Sequence, residues 1–228
     1  MARNILVTND DGIGAEGIET LFALASQFGN VVLVAPAEPQ SGCSHVITAH
    51  QAVRFEQARA GQFVAHGTPA DCVRLALLNL PQQFDLVLSG INHGGNLGAD
   101  IFCSGTVAAA REARLHGIPS VALSHYRAPS RDFDWQRAAE LVTQVLHKIL
   151  DQPLQAGEYW NVNLPHHPDV QPELIECPVD PHPHPLVYEP DELGWKYAGI
   201  YHERPRLPES DLEVCFAGHV AISRLRTH

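Results

Sequence analysis

Apolar residues arrive along the first two-thirds of this chain in short unbroken runs, at 4–8, 31–35, 85–89 and 119–124. Near-continuous apolarity of that length suits strands covered on both faces, as in a parallel sheet between helical layers. Between the first two runs Ile18, Leu21, Phe22, Ala25 and Phe28 recur at helical spacing, and between the last two Val107, Ala110 and Ala113 do so behind Gly105 and Thr106. A longer stripe, Ala138, Leu141, Val142, Val145, Leu146 and Ile149, begins near Asp134 and ends before Pro153. Strands alternating with crossover helices predict an α/β fold, a Rossmann-like, mostly parallel sheet with helices on both faces.

Two excursions modify that plan. Val53, Phe55, Phe63 and Val64 flank Ala60 and Gly61 in two short extended stretches, which predicts a hairpin over 50–66. From about residue 165 the texture changes. Pro165, Pro168, Pro172, Pro178, Pro181, Pro183, Pro185 and Pro190 interrupt helices, and charges gather around 209–213, so extended arms and loops are expected. A final strand is expected at 218–223. The chain therefore reads as one domain over 1–228, an α/β core over about 1–164 and a Pro-rich extended arm with a last strand over about 165–228.

Composition narrows the function. With 228 residues and 45% hydrophobic content the chain can bury a substantial core. Fifteen Lys and Arg against 26 Asp and Glu give a formal charge of −11, which argues against a protein that coats a nucleic acid duplex or an anionic membrane. Lys148 and Lys196 are the only lysines, so an anionic ligand must be met by a metal, arginines or backbone amides. Five scattered cysteines with no C-x-x-C pair suggest neither a disulfide framework nor a zinc ribbon. A soluble, cytoplasmic protein is expected, since no long apolar stretch suggests a signal peptide or a membrane span.

In an open parallel sheet, ligands gather beyond the carboxyl ends of the strands. The runs at 4–8, 31–35 and 85–89 are followed by Asn9-Asp10-Asp11-Gly12, by 36–42 and by 90–98, three loops rich in oxygen ligands. Adjacent carboxylates such as Asp10 and Asp11 are costly to hold together near neutrality unless one is protonated or a cation lies beside them. A hard divalent ion, Mg²⁺ or Mn²⁺, suits carboxylate, hydroxyl and carboxamide oxygens, whereas the competing reading is a tight Asx turn. Ser104-Gly105-Thr106 opens a helix and offers backbone N–H groups and two hydroxyls to an anion, or else simply caps that helix. The loops at 9–14, 36–50 and 90–106 contain neither Lys nor Arg, and Arg54 and Arg111 stand just outside.

Other motifs carry less. Gly12-Ile13-Gly14-Ala15-Glu16-Gly17 matches a dinucleotide fingerprint, but Asp10 and Asp11 would face the pyrophosphate and no acidic residue closes the second strand. His166-His167 and His182-Pro183-His184 lack zinc-ligand spacing and read as loop histidines. His45 and His93 lie in the site loops, where a histidine can orient substrate or shuttle protons. Cys43 and Cys103 have no cationic sequence neighbour and read as packing residues.

The segments 5–12, 34–36, Ser41 with His45, 67–73, 89–92, 94–100 and 104–106 followed by 117–120 together resemble the SurE family of survival-protein nucleotidases over residues 3–124. Weaker similarity continues through 161–165 and 218–223. The resemblance implies a divalent-metal phosphatase acting on nucleoside 5′- and 3′-monophosphates, with short polyphosphate as a further substrate class. It implies one Mg²⁺ or Mn²⁺ per subunit held by Asp10, Asp11, Ser41 and Asn92. Asn96, Ser104, Gly105 and Thr106 would surround the phosphate, with Asp10, Asp11, Asn96 and Ser104 carrying catalysis and Asn9 and Asp100 in support. It also implies a homodimer or homotetramer built through the C-terminal arm. Gly42-Cys43-Ser44 and Cys103 depart from the commoner family pattern.

The mechanism expected of such a site is attack by a metal-activated water with Asp10 or Asp11 assisting as base, an aspartyl nucleophile being the alternative route. Two rival readings are a metal-nucleotide sensor that binds without turnover and a zinc-dependent deacetylase or amidohydrolase.

Overall fold

A computed structural model describes residues 2–128, 132–166 and 170–227; of the residues singled out above, His167 and Pro168 lie outside that set. The chain opens as β1 (Arg3–Thr8), α1 (Glu16–Ala25) and β2 (Gly29–Pro36). A hairpin, β3 (Phe55–Arg59) with β4 (Gln62–Ala65), leads into α2 (Pro69–Asn79), then β5 (Leu86–His93), α3 (Gly105–Leu115) and β6 (Ser120–His125). The remaining elements are α4 (Trp135–Ile149), β7 (Glu158–Leu164), β8 (Leu174–Glu176), β9 (Tyr188–Asp191), β10 (Gly194–Tyr197), α5 (Asp211–Phe216) and β11 (Val220–Arg226).

The strands form a nine-stranded sheet in the order β3-β4-β2-β1-β5-β6-β7-β11-β8. β4, β2, β1, β5, β6 and β7 are parallel; β3 and β11 run against their neighbours β4 and β7. The side-chain period of two explains the layering. Ile5 and Val7 point into one core with Ile18 and Leu21 of α1 and with Leu141 and Val145 of α4, whereas Leu6 points into the other with Val73 of α2 and Ala109 of α3. Each such large aliphatic side chain contributes roughly 1.5–3 kcal/mol by leaving water.

This topology places the site. The chain runs from β1 outward through β2 to β4, returns to pair β5 on the other side of β1, and proceeds through β6 to β7. The strand order thus reverses between β1 and β5, and the crevice beyond their carboxyl ends is where ligands bind in such sheets. β5 extends past the expected boundary at 89 to His93, with a register irregularity between Ser89 and Asn92, so Asn92 is delivered at the strand's tip.

Several expectations need correction. The segment after 165 is not merely an appendage: β11 pairs along its length with β7 and also carries β8, so it completes the central sheet. The charged stretch near 209–213 is helical, because Ser210 caps α5 by accepting the N–H of Glu213. α2 was not expected as a helix, yet Thr68, Pro69 and Asp71 make a complete capping box at its start. β9 and β10 form a separate exposed hairpin. Among the described residues no helix is long and apolar enough to cross a membrane, and all five cysteines are free thiols.

Candidate functional site

Asp10 and Asp11 follow β1 at the crevice. Asn9 is buried and donates from Nδ2 to the Gly12 carbonyl at 2.9 Å, closing the turn that presents the two carboxylates. Gly12 sits at φ +92°, a left-handed conformation that favours glycine, with the backbone of Glu38 and Pro39 packed against it. The Asp10 carbonyl accepts the N–H of Gln40 at 2.7 Å, which fastens the loop after β2 to the loop after β1.

A cavity of about 290 Å³ lies across these tips. Asp10, Asp11, Ser41, Asn92, Asn96 and Ser104 all line it, so the four side chains expected to hold a metal and two of the expected phosphate contacts are brought together. Asp10 is 5% exposed. Its Oδ2 accepts the Thr106 N–H at 3.1 Å and its Oδ1 accepts the Thr106 hydroxyl. Asp11 Oδ2 accepts the N–H of His93 at 3.1 Å. Burial pushes the Asp10 carboxyl up to about 6, with the Thr106 bonds opposing and the neighbouring Asp11 charge reinforcing the rise. Burial likewise raises Asp11, against the lowering influence of His93.

The remaining expected residues divide. Asn96 is buried: its backbone N–H goes to Asn163 Oδ1 at 2.7 Å, and its Nδ2 donates to Ser124 Oγ at 2.7 Å, leaving the amide's second N–H for a ligand. Ser104 Oγ accepts the N–H of Val107 at 3.1 Å, so it does cap α3, while its own hydroxyl proton stays available. Thr106 requires correction. Both of its donors end on Asp10, it is fully buried, and it does not line the cavity, so it orients a carboxylate where a phosphate contact was expected. Gly105 lies beneath Asp10: a Cβ there would stand 2.8 Å from Asp10 Cβ and 2.9 Å from Cys43 Sγ.

The loop carrying Ser41 is tied down at several points. Ser44 donates its N–H to the Cys103 carbonyl at 3.0 Å and its hydroxyl to the Phe102 carbonyl at 2.7 Å. Thr48 gives its N–H and hydroxyl to Asp71 at 3.0 and 2.6 Å. His45 does not reach the cavity; its Nε2 lies 2.8 Å from Glu112, a carboxylate that also meets Arg74 and His116. Burial opposes ionisation of Glu112, but these three partners prevail and hold its carboxyl down at about 2. His93 does line the cavity, with Nε2 accepting the Gly17 N–H at 3.3 Å and the ring packed on Trp135. Arg54 bonds with His66, and Arg111 with Tyr159, away from the site.

Sequence reasoning reached one wall of the cavity only in part: Asp100, expected in support, lines it together with Tyr201 and His184, to which no site role was given. Asp100 receives both terminal nitrogens of the buried Arg204 at 3.0 and 2.8 Å, the Tyr201 hydroxyl at 2.6 Å, and His184 Nε2 at 2.9 Å. His184 is a loop histidine, as expected, and the loop brings it to the cavity wall. A Pro-rich run gives no spacing signal for such a contact, which joins residues about a hundred positions apart.

No Lys or Arg is among the side chains that line this cavity, and among the described residues no group of three His, Cys, Asp or Glu is placed to hold a metal. Two adjacent carboxylates, one buried and one half-buried, with a hydroxyl and a carboxamide beside them and no Lys or Arg to offset their charge, fit a hard divalent cation.

Comparison with known proteins bears on the same residues. Residues 5–178 match the family model described as survival protein SurE. A relative in Nostoc sp., named provisionally as a 5′-nucleotidase, is 47% identical over 224 residues, spanning 97% of this chain and 99% of its own. The 5′-nucleotidase SurE of Sorangium cellulosum is 37% identical, spanning 97% of this chain and 88% of its own. The crystal structure of the SurE protein from Aquifex aeolicus superposes with a TM-score of 0.87 at 29% identity, covering 99% of this chain and 94% of that one.

Proposed function

Since the chain belongs to the SurE family, we propose that it is a divalent-metal-dependent phosphomonoesterase that hydrolyses nucleoside 5′- and 3′-monophosphates to nucleoside and phosphate. The observation that carries this reading is the pair Asp10 and Asp11 beside the N-terminus of α3, lining a cavity with no Lys or Arg side chain. Relatives named 5′-nucleotidase support the substrate class.

Asp10, Asp11, Ser41 and Asn92 would hold Mg²⁺ or Mn²⁺, which would supply positive charge to the phosphate and lower the pKa of a water. The chain's own groups do the rest. The second N–H of Asn96 and the Ser104 hydroxyl face the phosphoryl oxygens, where preorganised donors offset the charge that grows in the transition state. Water oxygen bonds to phosphorus as the ester P–O bond breaks, a carboxylate accepts the proton of the attacking water, and that proton passes to the departing sugar oxygen, which leaves as the nucleoside hydroxyl. Asp10 is fixed by two donors from Thr106 and Asp11 by one from His93, so Asp11 is the freer to do so.

Phosphate release from 5′-AMP with Mn²⁺ or Mg²⁺, with and without EDTA, tests the reading, and short polyphosphate belongs in the same panel. Release that EDTA abolishes supports it. A protein that binds AMP and metal without release is a sensor, and release indifferent to EDTA removes the metal from the mechanism. We assign assembly into a homodimer or homotetramer to the hairpin β9–β10, where Leu193 and Trp195 stand exposed; light scattering of a Leu193→Ser, Trp195→Ser variant tests it.

A further inference from the structure

Strand β7 carries two buried carboxamides among apolar and aromatic neighbours. Asn161 and Asn163 are 0% and 1% exposed and lie on the face opposite Val162, whose side chain joins the core under α1 and α4. Burying an amide without hydrogen-bond partners costs roughly 2–7 kcal/mol, so the partners of these two identify what they hold. Both lead to Asn96. Asn163 takes the two polar groups of its backbone: Oδ1 accepts the Asn96 N–H at 2.7 Å and Nδ2 donates to the Asn96 carbonyl at 3.1 Å. The orientation of that amide is fixed, because a backbone N–H only donates and a carbonyl only accepts. Ser124, opposite Asn163 in the register of β6 with β7, holds the side chain by accepting Asn96 Nδ2 at 2.7 Å. Asn161 adds one bond, from its Nδ2 to the same Asn96 carbonyl at 2.9 Å.

The loop that bears Asn96 needs such a clamp. Gly94 and Gly95 precede Asn96 and Gly98 follows Leu97, with Gly94 at φ +146° and Gly98 at φ +55°, so the loop's own backbone restrains it little. A side chain is aimed at a phosphate only as well as the backbone beneath it is fixed. Misplacing such a group by about 1 Å costs on the order of a hundredfold in rate.

We infer that Asn163 is a positioning residue of the phosphoryl-transfer site, clamping the Asn96 backbone so that its carboxamide is aimed into the cavity. The inference rests on the phosphomonoesterase reading and deepens it. β7 supplies none of the described residues that line the cavity, yet through Asn96 it governs the rate.

The test is a double-mutant cycle on kcat for 5′-AMP with Mn²⁺: Asn163→Leu, close to the amide in shape and unable to hydrogen-bond, is made alone and in an Asn96→Ala background. Asn161→Leu, which removes one bond to the same carbonyl and leaves the Asn163 pair in place, is the comparator for loss of a buried amide as such. Asn163→Leu is expected to lower kcat about tenfold or more and Asn161→Leu less than about threefold, with Mn²⁺ affinity by titration calorimetry unchanged in both. In the Asn96→Ala background the effect of Asn163→Leu on kcat is expected to vanish, while its cost in melting temperature remains. Should the Leu variant not fold, Asn163→Ser, too short to reach both backbone groups and too small to strain the core, takes its place in the same cycle. A kcat close to wild type, one no lower than that of Asn161→Leu, or an effect undiminished without the Asn96 side chain overturns the inference and leaves the phosphatase intact. No phosphate release by the wild type defeats the phosphomonoesterase reading itself, and the positioning role with it.

Discussion

Thr106 gives both of its donors, the backbone N–H and the hydroxyl, to the two carboxylate oxygens of Asp10. Thr106 is fully buried and Asp10 is 5% exposed, so the Thr106 hydroxyl has Asp10 as its partner in place of bulk water. Because Thr106 belongs to the first turn of α3, Asp10 is referenced to that helix as well as to β1, and the two halves of the site move as one body.

Removing the hydroxyl alone should expose the value of that link. Thr106→Val keeps the volume and the N–H bond but strands a buried carboxylate oxygen, which should destabilise the fold by about 1–3 kcal/mol. Denaturant unfolding measures it, with Thr106→Ser, which restores the hydroxyl, as the control. Equal stability of the Val and Ser variants would show that the hydroxyl does nothing.

Asp10→Asn separates charge from shape. Metal-dependent phosphate release should be abolished, while the metal-free protein should melt no lower than wild type, since a buried carboxyl beside a second carboxylate has become a neutral amide. Retained turnover in that variant refutes the ligand assignment. A collapse in melting temperature refutes the electrostatic one.

Gly105→Ala sets propensity against packing. On an exposed helix alanine gains about 1 kcal/mol over glycine. Here the new Cβ would stand within 2.9 Å of Asp10 and Cys43, so packing should win, with a loss of about 1–3 kcal/mol and about tenfold or more in kcat/KM. A stabilised, fully active variant would contradict the proposed close fit of α3 beneath Asp10.

Glu112 gives the pH dependence a definite sign. Burial opposes its ionised form, yet His45, Arg74 and His116 bring its carboxyl from the ordinary 4.5 to about 2 in the folded protein. A depressed carboxylate stabilises the fold above the unfolded value and loses that contribution as pH falls, here between about 4.5 and 2. Arg74 and His116 are half exposed, which screens the pairs and leaves roughly 1–3 kcal/mol. Chemical unfolding across pH 2–7 should show wild type losing stability in that window and Glu112→Gln, weaker at pH 7, losing less. Parallel profiles would rule the cluster out as the cause.

The sheet's central strands were legible because Ile5, Leu6 and Val7 are buried on both faces and read as an unbroken apolar run, and α4 because its stripe packs against one side only. β7 hid for a physical reason. Asn161 and Asn163 interrupt its apolar pattern, yet both are buried, donating to the Asn96 carbonyl at 2.9 and 3.1 Å. β9 is fully exposed and contains Pro190, so burial left no periodicity to read. Asp10, Asp11, Ser41 and Asn92 could be found as residues that follow or end strands. The wall formed by Asp100, His184 and Tyr201 depends on the path of the tail, which local pattern does not encode.

The position of β11 has a consequence for synthesis. Until residues 220–226 have left the ribosome, β7 presents an unpaired edge with Tyr159 and Trp160 along it. A nascent chain halted before that point carries the preceding parallel strands with nothing to close them, and open edges of this kind recruit other chains. Slowed translation over the Pro-rich stretch would lengthen that vulnerable interval, and aggregation during expression should track it.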